Sequence, residues 1–196
     1  DWPGVSLAKL TFESRLSSVL FCMTGVITRG ERSEKSKIGN SAMKYFICGF
    51  SGAGKTTLLN KIKDSGEYPD YIFVDLDKWI LSQNAEQNSL GDLIESNGWE
   101  WFRKTEREEF LNLLKSPNVW IALGGGTLTE ELVEEINKLE DLKGYWLDTD
   151  FEICWKRIAS DKNRPLVKKG REVLKRLYNE RLKLYRLFER LSSGAE

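Results

Sequence analysis

Histidine is absent from this 196-residue chain, which excludes His-based acid–base catalysis and His-ligated metals. Cysteine is scarce: Cys22, Cys48 and Cys154 are odd in number, widely scattered and mostly set in apolar sequence. Packing thiols in a reducing, cytoplasmic setting are therefore expected, with no disulfide framework and no zinc site. Net charge is lacking too. The 30 basic and 30 acidic residues balance, which argues against a general polyanion binder and gives no support for a nucleic-acid or membrane surface. No apolar run approaches the roughly 20 residues needed to span a bilayer. The nearest, residues 18–27, is too short and follows Glu13 and Arg15, so export is not expected, although the serine-rich start leaves a transit-peptide reading open. Carboxylates, lysine, arginine and backbone amides must carry any chemistry.

What the chain does contain is Gly-Phe-Ser-Gly-Ala-Gly-Lys-Thr at residues 49–56, a complete G-x-x-x-x-G-K-[ST] phosphate loop. Its glycines let backbone N–H groups face phosphate oxygens, Lys55 reaches the β- and γ-phosphates, and the Thr56 hydroxyl suits a magnesium shell. The flanks agree: an apolar run at residues 44–48 reads as a buried strand, and residues 57–62 have helical spacing. The helix N-terminus adds unpaired N–H groups to the anion site.

From Met43 onward the pattern alternates. Strands are expected at 44–48, 71–75, 118–123 and 144–148, and helices at 89–97, 99–115, 129–138, 151–160 and 172–190. Alternation implies parallel strands with right-handed crossovers, hence a three-layer α/β/α domain. One domain of 43–196 is expected, with a mobile loop at about 161–170, behind an appendage or linker of 1–42 ending in a polar stretch.

Ligands of such sheets bind at the carboxyl ends of the strands. The phosphate loop, Asp75-Leu-Asp77 and Gly124-Gly-Gly126 all fall on that rim. Asp75-Leu-Asp77 ends a strand, where an extended backbone puts both carboxylates on one side, one for magnesium through water and one as the base for an acceptor hydroxyl, the alternative being a solvated turn with two surface acids. The three glycines permit close backbone approach to a substrate, the alternative being a flexible turn. Arg103 and Glu106, three apart on a helix, can pair; a carboxylate-held guanidinium is also a clamp for a substrate carboxylate. Arg164, beside Pro165, sits in the basic loop that closes over triphosphate. Periodicity alone does not single out Arg181.

In this order, GFSGAGKTT, DLD, WFRKTE, ALGGGT, RPLV and ERLKLY resemble the shikimate kinase family from about Lys44 to Tyr185. The resemblance implies a P-loop kinase fold with a mostly parallel sheet and transfer of the ATP γ-phosphoryl group to the 3-hydroxyl of shikimate; a cytoplasmic monomer is expected. It implies that Gly52, Ala53, Gly54, Lys55, Thr56 and Thr57 cradle ATP, with Thr56 and Asp75 serving Mg²⁺. Asp77 becomes the base and a hydroxyl ligand, Arg103 and Arg181 clamp the carboxylate, and Gly125 contacts substrate. Arg164 becomes the lid arginine and Arg157 lies against adenine. One departure stands out: no final strand is evident after Tyr185, which would leave one sheet edge open unless the apolar residues 19–27 cover it. Two alternatives stay open, a gluconate-type kinase of the same superfamily and a nucleotide-binding module without transfer activity.

Overall fold

The computed structural model describes residues 43–161 and 166–192. The appendage 1–42, with its proposed edge cover, and Arg164 lie outside the described residues. Strand β1 (Lys44–Cys48) runs into the phosphate loop and helix α1 (Lys55–Asp64), then β2 (Ile72–Asp75) and α2 (Leu76–Ser82). Helices α3 (Leu90–Asn97) and α4 (Trp99–Leu113) precede β3 (Val119–Ala122), α5 (Glu130–Ile136) and β4 (Leu142–Asp148). Helix α6 (Phe151–Ile158), a 3₁₀ turn (Val167–Lys169), α7 (Arg171–Tyr185) and β5 (Glu189–Ser192) complete the described order.

The sheet order is β2-β3-β1-β4-β5, with every neighbouring pair parallel. Both faces of the central strands are covered, the arrangement that parallel sheets require. Tyr45 stacks on Trp120 at 4.4 Å and meets Tyr68 and Tyr71, whereas the next residue, Phe46, packs edge-on against Phe110 of α4 at 5.7 Å. Successive strand side chains thus enter different layers. The structure has the three-layer α/β/α architecture.

Two expectations require correction. The apparently missing final strand exists: β5 pairs in parallel with β4, Tyr145 opposite Glu189 through Asp148 opposite Ser192. Its sequence hides it, because a short edge strand has little apolar burden; Leu191 is its buried contact, while Glu189 pairs with Lys143 and Arg190 with Asp148. The preceding helix accordingly ends at Tyr185 rather than at residue 190, closed by turn bonds from Leu187 and Phe188. The second correction concerns Asp75-Leu-Asp77, which is not an extended strand end. Asp75 caps α2, its carboxylate accepting the Lys78 N–H at 3.1 Å, and Asp77 lies in the first helical turn. An Asp before a helix satisfies an otherwise unpaired N–H, and here capping outweighs strand continuation.

Candidate active site

The phosphate loop is shaped by backbone that side-chain-bearing residues adopt poorly. Gly54, at φ 102°, is the N-cap of α1 and supplies no side-chain cap, so the first helical N–H groups stay available to an anion. Gly52, at φ 83°, also lies so close to α6 that a Cβ would come 2.6 Å from the Cys154 carbonyl oxygen. Arg157 of α6 braces this segment, its Nη1 donating to the carbonyls of Gly52 (3.0 Å) and Ala53 (3.3 Å). The Thr149 hydroxyl, just past β4, also donates to the Ala53 carbonyl at 3.1 Å.

Lys55 is buried, and its ammonium donates to the carbonyls of Gly49 (2.8 Å) and Phe50 (2.9 Å). Burial lowers its pKa, partly countered by the charges of Asp77 and Asp75. Next to it, the Thr56 hydroxyl donates to an Asp75 carboxylate oxygen at 2.5 Å. Hydroxyl and carboxylate oxygens are the hard donors that Mg²⁺ accepts, and Mg²⁺ usually draws its other ligands from water and phosphate, so the pair fits that ion.

A cavity of about 360 Å³ opens beside this pair and is lined by Thr56, Asp75, Asp77, Arg103, Glu106, Gly125 and Gly126, among others. Asp75 and Asp77 therefore share a cleft even though the extended geometry expected for them does not exist. Helix α4 contributes Arg103, which is ion-paired with the almost wholly buried Glu106. The Arg103 guanidinium also lies over Trp99 at 5.0 Å, so both its plane and its position are restrained. Glu106 accepts in addition from the Thr127 hydroxyl at 2.8 Å.

The glycine run is a spatial requirement rather than a flexible turn. A Cβ on Gly124 would strike Glu106 and come 2.8 Å from an Asp77 carboxylate oxygen; on Gly125 it would meet Ser51 of the phosphate loop at 2.8 Å; on Gly126 it would meet the Arg103 guanidinium at 2.6 Å. Each glycine thus admits a different functional group. Helix α7 closes this side with Arg181, whose guanidinium lies over the Phe50 ring at 5.6 Å and whose buried Nη1 has no hydrogen-bond partner among the described residues. Burial lowers the Arg181 pKa, with the Arg103 charge acting in the same direction. A buried guanidinium with an unused donor carries a desolvation cost that a bound anion would offset.

The model of the shikimate kinase family matches residues 51–195. The chain belongs to the shikimate kinase family. Members similar to it include the shikimate kinase of Persephonella marina, 32% identical over 141 residues that cover 71% of this chain and 82% of that protein. Another is the bifunctional shikimate kinase/3-dehydroquinate synthase of Thermotoga maritima, 31% identical over 78% of this chain, which spans only 29% of that longer protein. Among solved structures, the shikimate kinase from Acinetobacter baumannii in complex with shikimate aligns with a TM-score of 0.67 and 26% identity, over 80% of this chain and 85% of that one. Shikimate kinase from Aquifex aeolicus aligns with a TM-score of 0.66 and 27% identity, over 79% and 89%. The fold and the ATP-dependent phosphotransferase class follow from membership of this family.

Within that family frame, the structure brings Thr56, Asp75, Asp77, Arg103 and Gly125 to one cavity, sets Gly52–Thr57 along the loop and helix beside it, and keeps Arg181 against Phe50. Sequence reading gave no role to Thr127, Thr149 or Tyr178, nor to Tyr185 beyond its place in a motif. Thr127 directly follows the glycine run, and that adjacency was the available signal; the hydroxyl contacts of Thr149 and Tyr178 arise only on folding.

Proposed function

We propose that this chain transfers the γ-phosphoryl group of ATP to the 3-hydroxyl of shikimate. The observation that carries the reading is the buried Nη1 of Arg181, without a hydrogen-bond partner among the described residues, near the cavity that holds Arg103 and Asp77. Two guanidinium groups suit a carboxylate, and an aspartate suits a hydroxyl; a small carboxylated polyol carries both.

In this reading the loop from Gly52 to Thr57 binds the phosphates of ATP through backbone N–H groups and the α1 N-terminus. Lys55 exchanges its carbonyl partners for phosphate oxygens, a swap favoured because burial already disfavours its charge without an anion. Thr56 and Asp75 would hold Mg²⁺, which supplies charge neutralisation on the phosphates. Arg157 braces the loop and, by the family pattern, lies beside adenine. On the acceptor side, Arg103 and Arg181 orient the carboxylate while Gly125 approaches the ring. Asp77 accepts the proton from the attacking hydroxyl, and Arg164 is assigned to the charge developing on the transferred group. Catalysis is then chiefly alignment and charge neutralisation.

A cytoplasmic monomer is proposed with this activity. The decisive test is ADP release coupled to acceptor addition: shikimate is expected to stimulate turnover strongly and gluconate not at all. Gluconate-dependent turnover without a shikimate response would overturn the reading. Failure of shikimate to bind in the presence of a nonhydrolysable ATP analogue would leave a nucleotide-binding module.

A further inference from the structure

Helix α7 presents Leu174, Tyr178, Arg181 and Tyr185 at the alternating spacings of four and three that align residues on one helical face. Both tyrosine hydroxyls on this face are bonded to the loops of the site. Tyr178 donates to the carbonyl of Thr149 at 3.0 Å, and Thr149 in turn donates to Ala53 of the phosphate loop at 3.1 Å. Tyr185 donates to the carbonyl of Gly125 in the glycine run. Arg181, the carboxylate ligand of the proposed site, lies between them.

The Tyr185 end bears on the acceptor through one peptide plane. The Gly125 carbonyl and the Gly126 N–H belong to the same peptide unit, which is trans. In a trans unit those two groups point in opposite directions. Tyr185 is 2% exposed, and burial holds its phenol well above the ordinary value, so it stays a neutral donor throughout the working range. Holding the carbonyl on the α7 side turns the Gly126 N–H away from α7, and Gly125 and Gly126 both line the cavity.

We propose that Tyr185 is a positioning residue for phosphoryl transfer, its hydroxyl anchoring the Gly125 carbonyl so that the Gly126 N–H is offered to an oxygen of the bound acceptor. Helix α7 then acts as a strut, with Tyr178 indexing the phosphate-donor loop through Thr149 and Tyr185 indexing the acceptor loop. This proposal rests on the assignment of Asp77, Arg103 and Arg181 to the acceptor.

Tyr185→Phe keeps the ring and removes the oxygen. It is expected to raise KM for shikimate about tenfold, the cost of one misdirected buried hydrogen-bonding group, with KM for ATP within about twofold of wild type. Tyr178→Phe is expected to show the reverse split. An unchanged shikimate KM in Tyr185→Phe, or equal rises in both KM values, would overturn the proposal, since a merely structural loss has no reason to fall on one substrate. A measurement on the unaltered chain guards against a variant that fails to fold: on titration with shikimate, the ¹⁵N–¹H resonance of Gly126 is expected to shift, and a stationary Gly126 amide beside shifting neighbours would also refute it. Arg181→Met separates the two levels. If it raises the shikimate KM and Tyr185→Phe does not, only this inference falls; if neither variant does, the acceptor-site assignment falls with it.

Discussion

Gly126→Ala tests the acceptor clamp with a single methyl group. The backbone at Gly126 does not need positive φ, so alanine brings no conformational strain of its own. Its Cβ would stand 2.6 Å from Nη2 of Arg103 and 2.7 Å from Cζ and Nη1. Two heavy atoms are at ease at about 3.5 Å, so the guanidinium must withdraw by about 0.9 Å. It cannot do so freely, because Glu106 holds it from a site that is 1% exposed and Trp99 lies against its plane at 5.0 Å. The methyl therefore displaces the clamp or breaks its pairing with Glu106. A displacement near 1 Å of a positioning group costs on the order of 100-fold, and loss of a charged hydrogen bond, about 1.5–3 kcal/mol, gives a similar factor. Steady-state kinetics with shikimate varied at saturating ATP should show a rise in KM of about 10- to 100-fold, with KM for ATP little changed. Gly125→Ala should in addition disturb the phosphate loop, since its Cβ meets the backbone N of Ser51 at 2.9 Å, and so raise KM for ATP as well as for shikimate. A Gly126→Ala enzyme with the wild-type shikimate KM would refute the placement of Arg103 in the clamp.

For the proposed base, Asp77→Asn should lower kcat by about 10²- to 10⁴-fold while leaving ATP affinity nearly intact, measured by single-turnover kinetics and nucleotide titration; an unchanged kcat would remove that role. Arg181→Met should leave the thermal midpoint unchanged or raise it, since it deletes a buried and incompletely paired charge, while shikimate KM climbs on the order of 100-fold. Burial pushes the Cys154 thiol up to about 11 and Cys48 up to about 12, so at pH 8 only about one in 1,000 and one in 10,000 are thiolate. Iodoacetamide should spare both in the native protein and label both in denaturant, read by peptide mass spectrometry. All six tyrosines are shifted upward, chiefly by burial, Tyr68 and Tyr178 to about 12. Below pH 10 they are neutral folded or unfolded and contribute no pH dependence; above it the unfolded chain releases protons that the folded chain retains, so stability falls between pH 10 and about 12. Absorbance at 295 nm should accordingly rise together with the loss of ellipticity, and tyrosine ionisation well ahead of unfolding would contradict the burial.

The phosphate loop was legible because its requirements are local: three glycines with positive φ, a lysine and a hydroxyl in one octet between a strand and a helix. Strand β1 was legible to its ends, since a run buried on both faces carries its own apolar signature. Helix α2 and strand β5 were not. The first is a seven-residue helix started by the cap of Asp75, whereas Asp75-Leu-Asp77 read as the extended end of β2. The second is an edge strand whose Glu189 and Arg190 gain partners only from Lys143 and Asp148 of β4. Arg103 and Glu106 could be paired from their helical spacing, but Thr127 joins them from 21 residues away, a contact that no local pattern encodes.

By itself, then, the sequence determined the nucleotide-binding loop, the alternation that makes the sheet parallel, and the exclusion of histidine chemistry, because each depends on residue type and short-range spacing. Tertiary structure alone decided why the glycine run has three members. Gly124 makes room for the carboxylates of Asp77 and Glu106, Gly125 for the phosphate loop and Gly126 for Arg103. It also decided that, of the basic residues on α7, Arg181 is buried with a donor unused among the described residues. Such distinctions come from close packing between segments far apart in the chain, where a single methyl group or one unpaired N–H has a cost that no local pattern records.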